Sequence, residues 1–224
     1  MSLPFSEEQF LRVFADYNRA VWPAQLLLYS AAVIVIFIAA KKRPHSETVI
    51  AAILALLWLW MGVIYHLLFF SAINKAAYAF GALFVVEALL FFALAVRKAA
   101  PTFRLRANVY GACAAALFTY ALIVYPALRH LSGHVYPAAP TFGLPCPTVI
   151  FTFGVLLCAE REVPTRLLLI PLAWSVIGTT AAASLGMTED YGLTAAGLSG
   201  TALITFRNRK PQAVKKVLQS AAYQ

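Results

Sequence analysis

Charge is scarce in this sequence: 12% of its 224 residues are Asp, Glu, Lys or Arg, whereas 62% are hydrophobic. An ordinary soluble domain has about 25% charged and about 45–50% apolar residues. The shortage of charge therefore excludes a soluble globular domain. A helix that crosses a bilayer needs about 20 mostly apolar residues, and the few charges and prolines separate runs that meet or approach this length. The sequence predicts an integral membrane protein.

The apolar runs also lack the alternation of polar and apolar residues that the strands of a membrane barrel have. Helices satisfy their backbone hydrogen bonds within one segment, as lipid requires. We therefore predict an all-α fold with seven transmembrane helices. They lie at residues 22–40, 49–70, 77–96, 107–128, 144–159, 167–185 and 191–206.

Positive charge is divided unequally between the two sets of alternate loops. Fourteen of the 18 Lys and Arg residues lie in one set and the C-terminal tail, including Lys41, Lys42 and Arg43. Because basic loops stay cytoplasmic, we predict an outer N-terminus and an inner C-terminus. The pI of about 9.7 fits contact with the lipid bilayer, and the placement of the charges beside the spans argues against nucleic-acid binding.

The chain divides into three predicted segments. They are an outer-face amphipathic helix at residues 1–21, the seven-helix membrane domain at 22–206 and a basic cytoplasmic tail at 207–224. In the first segment Ser6 and Gln9 form a capping-box pattern, and Phe10, Phe14 and Tyr17 recur at helical spacing. Such a helix packs on the rim of the bundle or acts as a lid over it.

Span direction allows an internal repeat. The first three of seven spans run in the same directions as the last three, which gives a 3+1+3 arrangement of the kind found in transporter folds.

Small residues recur every four positions in the last two predicted spans. These residues are Gly178, Ala182, Gly186, Gly192, Ala196 and Gly200. Small side chains at this spacing let membrane helices approach closely. The pattern predicts packing between the two spans or, alternatively, a homo-oligomer interface.

Acidic residues are absent from the predicted spans, except for Glu87. Its position places it about 15 Å from either end of the third span, near the middle of the bilayer. A charge there is costly and typically marks an ion or proton path. The alternative is a protonated carboxyl that hydrogen-bonds to a neighbouring helix.

Cysteine is rare too, with three residues, and only Cys146 is predicted on the outer side. This excludes an intramolecular disulfide there. Cys146 lies between Pro145 and Pro147, and proline suits the first position of a helix, for which we favour Pro147. We therefore expect the thiol at a helix N-terminus, where the dipole favours thiolates, anions or metals.

The fifth span is short, because only eleven residues separate Thr148 from Glu160. Its proline-containing start must therefore enter the membrane for the helix to cross about 30 Å. Short spans interrupted by proline point to the binding sites of transporters. We assign Glu87, Tyr65, Pro145, Pro147 and Thr148 to the pathway of a substrate or ion.

Three of the four histidines map to the outer half, and with Cys146 they form a candidate ligand set. These histidines are His66, His130 and His134. Imidazole and thiolate suit a transition metal ion. No CxxC, HxxxC or HExxH pattern accompanies them, and ordinary interfacial histidines are the alternative.

Several long strings resemble one family over the whole chain. They are LPFSEEQF, YNRAVWPAQ, WLWMGVIYHLLFFSAIN, GHVYPAAPTFGLPCPTVIFTFG and PLAWSVIG. They resemble bacterial multi-pass membrane proteins of a domain family without an assigned function. The resemblance implies a bacterial inner (cytoplasmic) membrane location and no particular activity.

The functional prediction is a transporter or binder of a small solute, namely a metal ion or an anion. Its predicted site faces outward and lies at the outer ends of spans two, four and five. The alternatives are a membrane-embedded metalloenzyme or redox protein and an accessory or assembly protein without a substrate. No nucleophile and base are paired in the pattern required for an enzyme. The last span lacks the lysine that a retinal protein would need.

Overall fold

The computed structural model describes the backbone of residues 4–41 and 45–221, with side chains up to residue 209. We number its helices α1 (Glu7–Val21), α2 (Ala24–Lys41), α3 (Ser46–Ala72), α4 (Ala77–Val96), α5 (Val109–Leu131), α6 (Pro145–Leu157), α7 (Arg166–Ser184) and α8 (Tyr191–Ala221). Lys42 and Arg43 of the predicted basic loop lie outside the described residues. So do the side chains beyond Arg209 in the predicted tail, whose backbone continues α8 to Ala221.

Five helices in the described part of the chain are long and apolar enough to cross a membrane: α2, α3, α4, α5 and α7. The prediction of an all-α chain with several helices that could span a membrane is confirmed for the described residues. Helix α6 is apolar but shorter. The number of seven crossings and the orientation remain predictions.

Two opposite ends of the bundle can be recognised from loop contacts. At one end, Asn18 of α1 donates to two carbonyls of the loop before α6, and apolar residues of α1 share a cluster with Leu185 and Met187 between α7 and α8. We call this the α1 end. At the other, Leu105 N–H donates to the Ala39 carbonyl, and Arg104 N–H donates to the Cys158 carbonyl just after α6. Arg207 of α8 donates to the Leu157 carbonyl. We call this the basic end, and both α6 and α8 extend to it.

Helix α6 lies in the centre of the bundle. All of its residues except Cys146 are buried, and it packs against α5, α7 and α8. At 1.5 Å per residue its helix rises about 20 Å, less than the roughly 30 Å of a bilayer core. Its surroundings are protein on all sides, so its buried backbone does not depend on its reaching the length of a full span.

The small residues of α8 contact aromatic side chains of other helices. A Cβ atom on Gly192 would lie 2.3 Å from the Tyr120 ring of α5, and one on Gly200 would lie 2.8 Å from the Phe153 ring of α6. The close approach between α7 and α8 uses Gly197 instead, where a Cβ would lie 2.4 Å from Ser175. The glycines of α8 therefore serve packing within the chain.

The three predicted small residues in and just after α7 differ in their contacts. Gly178 approaches Leu193 of α8, Ala182 is buried at the α1 end, and Gly186 follows the helix with a φ of 67°. A glycine in this left-handed conformation ends a helix without strain. Ala196, on α8, is fully buried.

The predicted repeat gains no support from packing. Helices α2 and α6 would occupy corresponding places in a 3+1+3 arrangement. Only 22% of α2 is buried, whereas α6 is enclosed on all sides. The 3+1+3 arrangement remains a prediction from span direction alone.

Candidate functional site: a cavity beneath α1

Helix α1 begins with the predicted capping box. Ser6 N–H donates to Gln9 Oε1 at 2.9 Å, and Gln9 N–H donates to Ser6 Oγ at 3.2 Å. The apolar face of α1 turns toward the bundle, with Phe14 and Tyr17 buried and Phe10 half-buried. This helix therefore covers one end of the helix bundle.

The second half of α1 is anchored by Asn18, which is fully buried. Its side-chain amide donates to the Pro137 and Ala139 carbonyls at 2.6 and 2.8 Å. Its Oδ1 accepts from Gln25 at 2.6 Å and from Thr141 at 2.9 Å. One side chain thus fixes α1, the start of α2 and the proline-rich loop before α6 relative to one another.

A cavity of about 460 Å³ lies beneath the first half of α1. This volume is within the range of about 300–1,000 Å³ that is usual for small-molecule sites. Phe5, Phe10 and Phe14 form its cover, and α3, α4, α5, α6 and α7 form its walls. The rim includes Thr180 and Ser184 of α7, which are exposed. Most of the lining is apolar.

Polar groups meet at one side of this cavity, and we call Asp190, Tyr125, Cys146 and Trp174 the polar corner. The Tyr125 hydroxyl donates to Asp190 Oδ1 at 2.6 Å. The Cys146 thiol interacts with both of these groups and with the Trp174 side chain. All four residues line the cavity. Their polar atoms can therefore face a bound molecule.

Asp190 ends the short 3-10 turn Thr188–Asp190 between α7 and α8. Burial raises the pKa of its carboxyl to about 7, and the hydrogen bond from Tyr125 lowers the pKa in part. Glu189 beside it raises the pKa again, and Arg129 lowers it. The carboxyl is therefore poised to change its charge near neutral pH.

Two of the cavity walls contain π-helical turns. Residues Met61–Phe69 of α3 and Tyr120–Val124 of α5 have this wider helical form. Tyr65 lies within the first segment, and Tyr125 follows the second directly. Because π-helical turns are frequent at functional sites, their position next to the cavity supports its role.

An ion-pair cluster next to the cavity links α1 to the bundle. Arg129 of α5 is buried and lies 3.5 Å from Glu189 and 3.9 Å from Glu7 at the start of α1. His134 Nε2 lies 4.0 Å from the same Glu7 carboxylate. Arg129 thus connects the helix that covers the cavity with the turn that holds Asp190.

Four of the residues that the sequence assigns to a substrate pathway or a metal site line the cavity: Tyr65, Pro145, Cys146 and Pro147. The helix begins at Pro145, so the prediction of Pro147 as its first residue was wrong. Thr148 lies behind the wall, and its hydroxyl oxygen accepts from Gly143 N–H at 3.1 Å.

The histidines do not converge on Cys146. His130 is exposed, and His134 is drawn toward Glu7 at the surface. His66 is buried, its Nδ1 lies 2.9 Å from the Met61 carbonyl, and its ring meets the Trp174 ring edge to face at 5.1 Å. Among the described residues, no three His, Cys, Asp or Glu side chains are grouped to hold a metal ion.

Glu87 lies in the middle of α4 and is fully buried. Neither of its carboxyl oxygens has a hydrogen-bond partner in the part of the chain that the structure describes. It is not among the residues that line the cavity. A relay through Glu87 therefore stays a prediction, separate from the cavity.

Sequence reasoning missed most of the polar corner. Asp190 and Glu189 count in the sequence only as loop charges, and Tyr125 and Trp174 look like ordinary apolar-face aromatics. The available signal was the pair of adjacent acids in a very short turn between two spans. Nothing local in the sequence indicates that this turn folds inward.

Comparison with known proteins gives a family and no activity. No curated protein and no solved structure matches this chain. A family model does match, over residues 7–215, which includes α1, the cavity and every helix described above. The chain therefore belongs to the family of unknown function DUF6064.

Proposed function

We propose that this protein is a membrane-embedded binder of a small, mostly apolar solute, which it holds in the cavity beneath α1. The observation that carries the proposal is the cavity itself: about 460 Å³, apolar walls and one polar corner. Sites for organic ligands have this composition, with a few convergent polar groups that orient the bound molecule.

The proposed topology has seven crossings, with an outer N-terminus in the bacterial inner membrane. Helices α6 and α8 join the α1 end to the basic end, which supports adding them to the five long apolar helices. The excess of Lys and Arg at the basic end supports its assignment to the cytoplasm. The cavity then faces the outer side.

The chemistry of the polar corner favours an organic solute over the metal ion or anion that the sequence suggested. An anion would meet the Asp190 carboxyl, which repels negative charge when ionised. A metal would need several ligands at about 2.0–2.3 Å, and His66, His130 and His134 are dispersed.

Transport remains a further step of the proposal, in which the first half of α1 moves to admit or release the solute.

Support for a moving cover comes from how α1 is attached. Its second half is held by the buried Asn18 amide, whereas its first half is held by the half-exposed Glu7 carboxylate. Ion pairs that involve an exposed partner contribute only about 0–1 kcal/mol. The other contacts of the first half are apolar, such as those of Phe5 and Phe10 with Phe70, and an apolar solute can replace them while the second half stays in place.

Filling the cavity tests the proposal. Ala181 lines the cavity, and Ala183 is an exposed residue of the same helix. Wild-type protein, Ala181→Trp and Ala183→Trp would be purified in the same way and extracted, and the small molecules would be measured by mass spectrometry. We expect a compound near one equivalent with wild type and Ala183→Trp and a large loss with Ala181→Trp. Identical extracts from all three proteins would overturn the proposal.

A further inference from the structure

The indole N–H of Trp174 is a buried donor that has no strong acceptor. Trp174 is 8% exposed, and its Nε1 has no hydrogen-bond partner among the described side chains and backbone. The thiol of Cys146 interacts with it, and sulfur is only a weak acceptor. Leaving a buried donor unpaired is unfavourable. A ligand atom in the cavity that accepts a hydrogen bond would satisfy it.

Asp190 supplies the complementary group in the same cavity. Its Oδ1 already accepts from the Tyr125 hydroxyl at 2.6 Å. An ionised carboxylate has further lone pairs, and it only accepts hydrogen bonds. The polar corner therefore offers a donor at Trp174 and an acceptor at Asp190, on two residues that line the same apolar cavity.

We infer that the ligand of this cavity is an apolar molecule with a hydroxyl group at one end. This inference rests on the proposed function and narrows its ligand class. A hydroxyl both donates and accepts, so it can pair with Asp190 and Trp174 together. An ammonium group cannot accept from Trp174, and a carboxylate cannot donate to Asp190. An ether accepts but does not donate.

The remaining lining fits such a molecule. Phe5, Phe10 and Phe14 above and Ile177 and Ala182 beside the cavity give an apolar surface for the rest of the ligand. The exposed rim residues Thr180 and Ser184 lie on α7, a predicted membrane span. A lipophilic molecule that is dissolved in the bilayer can therefore approach the cavity.

A matched ligand series tests the inference. Decanol, decyl methyl ether, decylamine and decanoate share one apolar chain and differ at the polar end. Each would be titrated into wild-type protein in lipid nanodiscs, and binding would be measured as the rise in the unfolding temperature. Ala181→Trp in the same nanodiscs corrects for partition of each compound into lipid.

At pH 8, where the Asp190 carboxyl is mostly ionised, we expect decanol to bind wild type about tenfold more tightly than decyl methyl ether and decanoate, which is the ordinary effect of one hydrogen bond. Tighter binding of decylamine than of decanol would show that the site prefers a cation and would overturn the hydroxyl inference. In Trp174→Phe, which keeps a ring and removes the N–H, decanol affinity should fall about tenfold.

Equal binding of all four compounds to wild type would overturn the hydroxyl inference and leave the proposed function standing. No difference between wild type and Ala181→Trp with any compound would overturn both. If Trp174→Phe does not fold, the four-compound comparison on wild type decides alone.

Discussion

Arg129 Nε lies 3.5 Å from Glu189 Oε1, and the two side chains are only 3% and 1% exposed. Such a pair is costly to place in a protein interior, and removing one member leaves the other charge without compensation. Here the pair joins α5 to the turn that positions Asp190. The same guanidinium reaches Glu7 of α1, so it also borders the cover of the cavity.

Replacing Arg129 with Met should destabilise the protein strongly. The change leaves the buried Glu189 carboxylate unpaired, which costs about 3–5 kcal/mol. Thermal unfolding of detergent-solubilised protein measures the effect. Arg12→Met is the matched control, because Arg12 pairs with Glu8 while both are highly exposed. Equal unfolding temperatures for the two variants would show that the buried pair has no structural role.

Replacing Glu7 with Gln should loosen only the first half of α1. The Glu7 carboxylate is half-exposed, so its contacts with Arg129 and His134 are weak, and overall stability should change by less than about 1 kcal/mol. Hydrogen exchange should become faster in the first turns of α1 and stay unchanged near Asn18. Glu8→Gln serves as the control. Faster exchange along the whole of α1 would contradict a cover anchored at one end.

Replacing Asn18 with Ala should detach the anchored half. The change removes the donor for two loop carbonyls and the acceptor for Gln25 and Thr141. Each buried group left unsatisfied costs about 1–3 kcal/mol, so we expect a loss of about 2 kcal/mol or more in unfolding free energy. Asp16→Ala, at an exposed position of the same helix, should change it little. Similar losses for both variants would disprove the anchoring role of Asn18.

Stability should depend on pH through Asp190. Its pKa is raised from 3.8 to about 7 by burial, so the folded state binds a proton more tightly than the unfolded chain does. The resulting stabilisation is complete below about pH 4 and is lost as the pH rises toward 7. Unfolding temperatures measured from pH 4 to pH 8 should therefore fall less for Asp190→Asn than for wild type. Parallel curves would exclude Asp190 as the titrating group.

The helices could be predicted well where charged residues mark both ends of an apolar run. The run at residues 77–96 predicts a span, and α4 is Ala77–Val96. Proline chemistry likewise identifies Pro145, Cys146 and Pro147, because prolines restrict where a helix begins. Both inferences use information that is local in the sequence.

The rest of the site depends on how the helices pack. Topology predicts that His66, His130 and His134 share one half of the membrane, but it does not determine which way each side chain faces around its helix. Trp174 and Asp190 reach the cavity because α7 and the turn after it fold against α5 and α6. Such contacts between distant segments leave no periodic signal in the sequence.

The most direct test of the account is an experimental density map of the purified protein in lipid nanodiscs. We predict extra density beneath Phe5, Phe10 and Phe14, with one end within about 3 Å of the Trp174 Nε1 atom, the distance of a hydrogen bond. A map in which α1 packs onto the bundle and leaves no cavity beside Asp190 would contradict the central claim.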